Sequence, residues 1–325
     1  MSRILTGDRP TGALHLGHYF GTLANRVALQ RDGHEVFVVV ADYQVIADRD
    51  HPGDLRTTIV ELVRDYLAVG LDPEATVVFP HSAVPALNQL LLPFLSLVSM
   101  GELQRNPTVK EEIRYAGRRS VSGLMLTYPV HQAADILFCK GELVPVGRDQ
   151  LPHLELTRSI ARRFNERYEP VFPLPDALLG EAPVLTGLDG RKMSKSLGNA
   201  IALTDSREVI SAKLRGARTD AERTISYEPE RRPEVATLLT IAALCSGRTP
   251  EAVAAEVGDG GGSALKACAL EAVDGLLAPI RERRAAVSDE DVRQILKRGV
   301  RTATDIAEET LGSVRRAMGM DVITL

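Results

Sequence analysis

The sequence predicts an α/β protein: a Rossmann-like, doubly wound parallel sheet followed by an all-helical C-terminal region. Up to about residue 200, short apolar segments of strand type alternate with helical patterns, and this alternation favours parallel strands. Beyond that point the strand pattern disappears and apolar residues recur at spacings of three and four. A chain of 325 residues can form two domains. We therefore predict a sheet domain over residues 1–200 and a helical domain over residues 201–325.

The elements of the first domain can be taken in order. A strand is predicted over Arg3–Gly7, and a helix begins near Gly17. The continuous apolar run in Glu35–Asp42 is typical of a strand buried on both faces. A helix then follows Pro52 and ends near Gly70.

The pattern continues with a second alternation. Ala75–Pro80 is the next strand, and a single helix is predicted from about Ala83 to Met100. The segment VPVG (Val144–Gly147) is a short strand before another helix. In the second domain, Gly258–Gly262 is predicted to form a turn between helices. The carboxyl ends of parallel strands are where ligands bind in such sheets, so the site is expected there.

Composition limits the possible classes of protein. The net charge is −4, a quarter of the residues are charged, and no apolar run approaches the ~18 residues of a membrane helix. Because a strand pattern starts at Arg3, no signal peptide is expected. Cys139, Cys245 and Cys268 lack metal-binding spacing, so no structural metal is expected. A reducing cytoplasm is the expected location.

A histidine pair follows the first predicted strand, in the segment PTGALHLGH (Pro10–His18). Free backbone N–H groups at a helix start favour phosphate, and Gly12 and Gly17 would let a nucleotide approach the backbone. His15 and His18 are three residues apart, so on helical backbone they point the same way. Two imidazoles placed in this way can donate hydrogen bonds to phosphate oxygens.

A basic loop, KMSKS, occupies Lys192–Ser196 between Gly190 and Gly198. Its two cations, Lys192 and Lys195, would hold a triphosphate and stabilise charge that develops only in the transition state. Flanking glycines give such a loop the freedom to close over its ligand. Together, the two segments predict one site that binds ATP from two sides.

These segments resemble the HIGH and KMSKS signatures of class I aminoacyl-tRNA synthetases, with Leu16 in place of the usual Ile. Between them, LTYPVHQAADIL (Leu126–Leu137) and VPVGRDQLPHLELTR (Val144–Arg158) resemble tryptophanyl-tRNA synthetases, and the resemblance covers nearly the whole chain. It implies that tryptophan attacks the α-phosphorus of ATP, carried as its Mg²⁺ complex. The terminal ribose of tRNA(Trp) then takes the acyl group from the adenylate.

The resemblance also implies a set of binding residues. Asp135 would accept a hydrogen bond from the indole N–H, the single donor of the tryptophan side chain. Val144, Val146 and Ile136 would form apolar walls, Gly7 would leave room beside the first strand, and Tyr128 and Gln150 would bind the α-ammonium group. The catalytic residues would be His15, His18, Lys192 and Lys195. The residues implied to contact ATP are Arg9, Pro10, Thr11, Gly17, His18, Gly147, Arg148, Asp149, Val184, Lys192, Met193, Ser194, Lys195 and Ser196.

Several residues depart from the common bacterial pattern around these sites. They are Leu5, Arg9, Tyr43, Gln44, His131 and Gln132. They leave the reaction class unchanged but make this a divergent branch, and they bear on affinity and inhibitor sensitivity.

The resemblance further implies a homodimer, a helical insertion over about residues 84–125 that helps form its interface, and an anticodon-reading role for the C-terminal helices. The final helices would pack back on the first domain. Three arginine clusters are candidates for tRNA contact. They are Arg158, Arg162, Arg163 and Arg167; Arg281, Arg283 and Arg284; and Arg315 and Arg316. Two other interpretations stay open: a tyrosyl enzyme on the same scaffold, and a regulatory paralogue with little ligase activity.

Overall fold

The structure is a computed structural model that describes residues 2–48, 51, 53–107, 109–110, 122–147, 150–179, 185–191, 193 and 197–322, with only the backbone described at Asp48. Its described residues form a five-stranded, wholly parallel sheet in the order β3-β2-β1-β4-β5. The strands are β1 (Arg3–Asp8), β2 (Glu35–Val40), β3 (Thr76–Pro80), β4 (Leu143–Val146) and β5 (Asp176–Leu179). The strand order reverses between β1 and β4, as in a doubly wound Rossmann-like fold. The predicted fold class is therefore confirmed.

Helices connect the strands on both faces of this sheet. In the first 200 residues they are α1 (Leu16–His18), a π-helical turn (Tyr19–Leu23), α2 (Ala24–Arg31), α3 (Asp42–Asp48), α4 (Leu55–Ala68), a 3₁₀ turn (His81–Ala83), α5 (Pro85–Gln89), α6 (Leu91–Leu95), α7 (Met100–Arg105), α8 (Gly123–Leu137) and α9 (Leu151–Arg167). After residue 200 they are α10 (Arg207–Gly216), α11 (Pro233–Ser246), α12 (Pro250–Val257), a 3₁₀ turn (Gly258–Gly260), α13 (Gly261–Ala286) and α14 (Asp289–Ala317).

Two details differ from the sequence prediction. The single helix expected from Ala83 to Met100 is wrong: the chain forms α5, α6 and the start of α7 instead. Helix α5 ends at Gln89, because Pro93 has no N–H to donate to the Gln89 carbonyl. Strand β5 was not predicted. It has only four residues, which are partly buried or exposed, so it lacks the apolar run that marks a buried strand.

The sheet separates two hydrophobic cores, and the side chains of β2 alternate between them. Val36, Val38 and Val40 face one core, while Phe37 and Val39 face the other. The first core joins α2 and α4 to the helices α10, α11 and α13 beyond residue 200. The second joins α8 and α9 to the C-terminal helix α14. Apolar packing therefore runs continuously across residue 200.

Helix α14 packs against β3 at very short range. A Cβ atom on Gly299 would lie 1.9 Å from the carbonyl oxygen of Val78, so only glycine fits there. The hydroxyl of Thr310 donates to the Phe138 carbonyl at 2.7 Å, which ties the same helix to the end of α8. Of the described helices, none combines the length and the apolar composition that a membrane span requires.

The arginine cluster of α13 holds the two parts of the chain together. Arg283 donates to the Ala68 carbonyl at 2.6 Å, and Arg284 pairs with Asp65 at 2.6 Å. Arg281 bonds to Asp274 and to the Asp205 carbonyl. These guanidinium groups already have protein partners, so this cluster is a weak candidate for a phosphate-binding face.

Candidate active site

The turn after β1 is built by the two signature histidines. Nδ1 of His15 accepts the Gly17 N–H at 3.1 Å, and Nδ1 of His18 accepts the His15 N–H at 3.2 Å, so the pair forms a reciprocal cap on α1. The two ring centroids lie 3.8 Å apart. A Cβ on Gly17 would lie 2.9 Å from the His15 ring, so Gly17 is needed for this ring to pack. The cap thus fixes both imidazoles at the carboxyl end of the first strand.

These caps also decide which ring nitrogen carries the proton. A nitrogen that accepts an N–H must present its lone pair, so in the neutral ring of His15 or His18 the proton lies on Nε2. Each histidine can then donate from Nε2. Donors of this kind suit phosphate oxygens on which negative charge develops.

The segment that follows KMSKS pairs with the histidine turn through its backbone. Leu16 N–H donates to the Ile201 carbonyl at 3.0 Å, and Leu203 N–H donates to the Leu14 carbonyl at 3.0 Å. The buried side chain of Met193 reaches the same turn, since a Cβ on Gly17 would lie 3.5 Å from its sulfur. Met193 and the segment from Ile201 to Leu203 therefore lie beside the histidine turn.

The base of that loop is held by Asp189. Its carboxylate accepts from the Asn199 side-chain amide at 2.7 Å and from the Arg191 backbone at 3.1 Å. The Asn199 amide first, and Arg191 after it, lower the pKa of Asp189 to about 2. Gly190 and Gly198 have positive φ, the left-handed conformation that favours glycine. Seven predicted ATP-site residues lie outside the described residues: Arg148, Asp149, Val184, Lys192, Ser194, Lys195 and Ser196.

A cavity of about 460 Å³ opens where the strand order reverses, at the carboxyl ends of β1, β2 and β4. This is the position at which doubly wound sheets bind ligands. All seven residues predicted to bind tryptophan line the cavity: Gly7, Tyr128, Asp135, Ile136, Val144, Val146 and Gln150. Two predicted ATP contacts, Arg9 and Gly147, line it too, while Pro10, Thr11, Gly17 and His18 are not among its lining residues. The geometry brings the predicted pocket together; which ligand each residue contacts stays a prediction.

Four of the departures from the bacterial pattern lie at the same cavity. Leu5, Arg9, Gln44 and Gln132 line it, and the Arg9 guanidinium lies 5.8 Å from the centre of the Tyr128 ring. Tyr128 also hydrogen-bonds to His153 at 3.0 Å through its hydroxyl. These two contacts restrict the orientation of the Tyr128 side chain, which is predicted to bind the α-ammonium group.

Gly7 has a second role that the sequence did not indicate. A Cβ at this position would lie 2.3 Å from the carbonyl oxygen of Val39 on the neighbouring strand. A side chain would therefore push β1 away from β2, whatever ligand the cavity holds.

Sequence reasoning missed a buried ionic network beneath β1. Arg26 is almost fully buried and pairs with Asp8 at 2.5 Å, and it also donates to Thr6 and to the Gly7 carbonyl. The Tyr66 hydroxyl donates to the same Asp8 carboxylate at 2.7 Å. Both Arg26 and Asp8 line the cavity. No pattern in the sequence pairs these residues, because an arginine on an amphipathic helix usually faces solvent.

Behind the cavity wall, Asp135 meets two histidines. It is 2% exposed, and its Oδ1 lies 2.8 Å from Nε2 of His81. Burial lowers the pKa of His81, but the adjacent Asp135 carboxylate outweighs burial and raises it. Burial lowers the pKa of His131, whose ring centroid is 4.6 Å from that of His81. The predicted indole reader is thus a buried carboxylate 2.8 Å from an imidazole nitrogen.

A Rossmann-type sheet, a histidine turn after its first strand and a KMSKS sequence are features of class I aminoacyl-tRNA synthetases. The model of the family described as "tRNA synthetases class I (W and Y)" matches residues 1–278. The chain therefore belongs to this family.

Known relatives are similar over nearly their full length. The tryptophan–tRNA ligase of Treponema pallidum is 40% identical over 333 residues, covering 98% of this chain and 97% of the relative. The tryptophan–tRNA ligase of Thermotoga maritima is 41% identical over 331 residues, covering 98% and 99%. Among solved structures, the tryptophanyl-tRNA synthetase of Campylobacter jejuni, complexed with ADP and tryptophan, is 28% identical with a TM-score of 0.86 over 98% of this chain and 99% of that one. Similarity at this level to tryptophan enzymes disfavours the tyrosyl interpretation.

Proposed function

We propose that this chain ligates L-tryptophan to tRNA(Trp) in two steps, with ATP consumed and AMP and pyrophosphate released. The observation that carries the proposal is the cavity at the carboxyl ends of β1 and β4, where a buried carboxylate lies among apolar walls. Membership of the W and Y family supplies the reaction class. The relatives support tryptophan as the substrate, because the chain matches tryptophan–tRNA ligases over almost their entire length.

The pocket has the chemistry that selects an indole. Tryptophan offers one side-chain donor and no acceptor, and Asp135 offers acceptors at a site from which water is largely excluded. Phenylalanine has no side-chain donor for this carboxylate, and sites built around such a bond can reject the analogue that lacks it by about 10⁴–10⁵. Val144, Val146 and Ile136 would pack on the ring faces.

The activation step needs positioning and charge stabilisation rather than a protein nucleophile. A carboxylate oxygen of tryptophan attacks the α-phosphorus, a P–O bond forms, and the bond to pyrophosphate breaks. Nε2–H groups of His15 and His18 would donate to phosphate oxygens, and Lys192 and Lys195 would follow the departing pyrophosphate. Mg²⁺ would enter with ATP as part of the substrate and offset the negative charge of its phosphates.

The second step transfers the tryptophanyl group from the adenylate to tRNA. A hydroxyl of the terminal ribose of tRNA attacks the carbonyl carbon of the adenylate, and AMP leaves as the C–O bond to phosphate breaks. Anticodon reading by the C-terminal helices, a homodimer and a cytoplasmic location remain parts of this proposal. For the tRNA face, Arg162 and Arg167 are exposed on α9, whereas Arg158 and Arg163 bond to Asp176 and Glu102.

The absence of tryptophan from the chain provides a direct binding test, since all intrinsic emission must come from seven tyrosines. Excitation at the red edge of the spectrum should give almost no signal from the protein alone. Added tryptophan should appear as a blue-shifted emission with raised anisotropy, saturating at one per chain. A spectrum of free tryptophan at micromolar protein would contradict the pocket assignment.

Charging assays then separate the remaining possibilities. Purified tRNA(Trp) should be charged with tryptophan and not with tyrosine when the two amino acids are tested in parallel. Charging with tyrosine would establish the tyrosyl interpretation. Tryptophan binding without charging would support a regulatory paralogue.

A further inference from the structure

Three buried side chains converge behind the wall of the cavity. His81 follows β3 in a 3₁₀ turn, and His131 and Asp135 lie four residues apart on one face of α8. They are 0%, 4% and 2% exposed. One potential ligand atom of each residue lies within 4.8 Å of those of the other two. Histidine nitrogens and a carboxylate oxygen, so placed, form a donor set that binds zinc in proteins.

Several polar atoms of this cluster lack a well-aligned hydrogen-bond partner among the described residues. They include Nε2 of His81, Nδ1 of His131 and Oδ1 of Asp135. Nε2 of His81 lies only 2.8 Å from Oδ1 of Asp135, yet the two atoms do not form an aligned hydrogen bond. A buried polar atom left without a partner is unfavourable, because it has lost its bonds to water and gained none in return. A common ion would satisfy all three atoms at once.

Nε2 of His131, the ring nitrogen that faces away from the cluster, has a hydrogen-bond partner, as in many metal sites. Nε2 lies 2.7 Å from the side-chain oxygen of Asn88. The Asn88 amide nitrogen donates to the His81 and Val84 carbonyls at 2.9 Å and 3.1 Å, which fixes the side-chain oxygen as the atom that faces His131. Nε2 must then carry the proton, and Nδ1 presents its lone pair to the cluster. A second partner that orients a ligating imidazole is a regular feature of protein metal sites.

We propose that His81, His131 and Asp135 bind one divalent transition-metal ion of the zinc type. Two imidazole nitrogens and one carboxylate oxygen suit zinc or cobalt, and the cluster lacks the thiolates that favour softer ions. This site is separate from the Mg²⁺ that accompanies ATP. It departs from the expectation of no structural metal, which rested on the spacing of the cysteines.

The ion would also act on the tryptophan pocket, and this part of the inference rests on the proposed function. Asp135 lines the cavity as well as the cluster. With Oδ1 on the ion, the carboxylate is held in one orientation and its other oxygen is left for the indole N–H. Metal binding and tryptophan binding should therefore be coupled.

The test uses the full chain, stripped with a chelator and titrated with Zn²⁺ against a chromophoric competitor, without tryptophan, ATP or tRNA. We expect one ion per chain, and Co²⁺ should give the visible absorption of a four- or five-coordinate nitrogen–oxygen site. His131→Leu should weaken binding at least 100-fold, and Asn88→Ala about 10–100-fold. His34→Gln, which alters a histidine outside the cluster that accepts from the Ser2 backbone, should change nothing.

Two results would overturn the metal site: no uptake of Zn²⁺ or Co²⁺, or uptake that His131→Leu retains in full. The second result would place the ion elsewhere, for example on the His15 and His18 pair. Circular dichroism checks that each variant folds, and His131→Gln serves if the leucine variant does not. The Co²⁺ spectrum of the unaltered chain needs no variant at all.

Coupling is measured separately by tryptophan fluorescence. Zinc should raise the affinity for tryptophan at least fivefold in the unaltered chain and leave it unchanged in His131→Leu. Equal affinities with and without zinc would show that the ion does not position Asp135. Metal uptake without any tryptophan binding would defeat the proposed function and leave the metal site standing.

Discussion

Two buried polar clusters border the same cavity, and they differ in how fully their hydrogen bonds are satisfied. Beneath β1, each of the three guanidinium nitrogens of Arg26 donates, to Thr6, Asp8 and the Gly7 carbonyl. Between α8 and the 3₁₀ turn that carries His81, the facing atoms of His81, His131 and Asp135 lack aligned partners among the described residues.

The contrast distinguishes a cluster that supports the fold from a cluster suited to binding a ligand. A satisfied network holds one geometry and gains nothing from a ligand, so the Arg26 network serves as a scaffold under the first strand. A cluster with orphaned atoms has free energy to gain when a partner arrives. This contrast agrees with the proposed role of the histidine cluster and its shared carboxylate in ligand binding.

The largest expected effect comes from breaking the satisfied cluster. Asp8→Asn removes the counter-charge of buried Arg26 and should lower the free energy of unfolding by about 3–5 kcal/mol. Glu35→Gln is the matched control, because it breaks the half-exposed pair with Arg3 and should cost about 1 kcal/mol or less. Denaturant unfolding measures both. Similar losses in the two variants would show that the Arg26 network is not a scaffold.

A smaller effect, on selection rather than on folding, is expected in the second cluster. Asp135→Ala should reduce the preference for tryptophan over phenylalanine by at least ~2 kcal/mol, since the indole N–H loses its partner. ATP binding should survive. Asp8→Asn, tested without denaturant at a temperature where it remains folded, should keep the preference. Unaltered discrimination in Asp135→Ala would mean that another group reads the indole.

Acid titration sharpens the comparison further. Burial raises the pKa of Asp8, but Arg26 and the Tyr66 hydroxyl outweigh burial and hold it below the ordinary 3.8. The unfolded chain thus takes up this proton more readily. The stabilisation from Asp8 is present above about pH 4, and it is lost as the pH falls through the lower pKa that Asp8 has in the folded chain. A pKa that folding lowers by one unit corresponds to about 1.4 kcal/mol of stability. The free energy of unfolding should therefore fall more steeply between pH 5 and pH 2 in the unaltered chain than in Asp8→Asn; equal slopes would contradict this explanation.

The smallest effect is predicted for the histidine cluster without metal. His131→Leu should lower the stability of the metal-free chain by about 1–2 kcal/mol, because the orphaned Nδ1 is removed while the part-buried side-chain oxygen of Asn88 loses its partner. Added zinc should stabilise only the unaltered chain, by mass action. Thermal melts with and without zinc measure this. A metal-free loss as large as that of Asp8→Asn would make His131 part of a scaffold instead.

Features encoded by neighbouring residues were predictable from the sequence. The alternation of strands and helices, the buried β2 run and the histidine turn follow from local periodicity and spacing, and the fold class they predict is confirmed. The seven residues predicted for tryptophan converge on one cavity because they lie at the ends of β1 and β4 and on α8, which a parallel sheet must bring to one edge. Lys192 and Lys195 lie outside the described residues, so their role stays a prediction.

Other features were decided only by packing between distant segments. Arg26 meets Asp8 across 18 residues, His81 meets Asp135 across 54, and Arg283 reaches Ala68 across 215. The close contacts that require glycine at positions 7 and 299 are likewise set by the backbone carbonyls of Val39 and Val78 on neighbouring strands. Local sequence determines which backbone conformations a segment prefers. Whether a charged side chain is exposed, paired or left with orphaned atoms depends on which segments the tertiary fold places beside it.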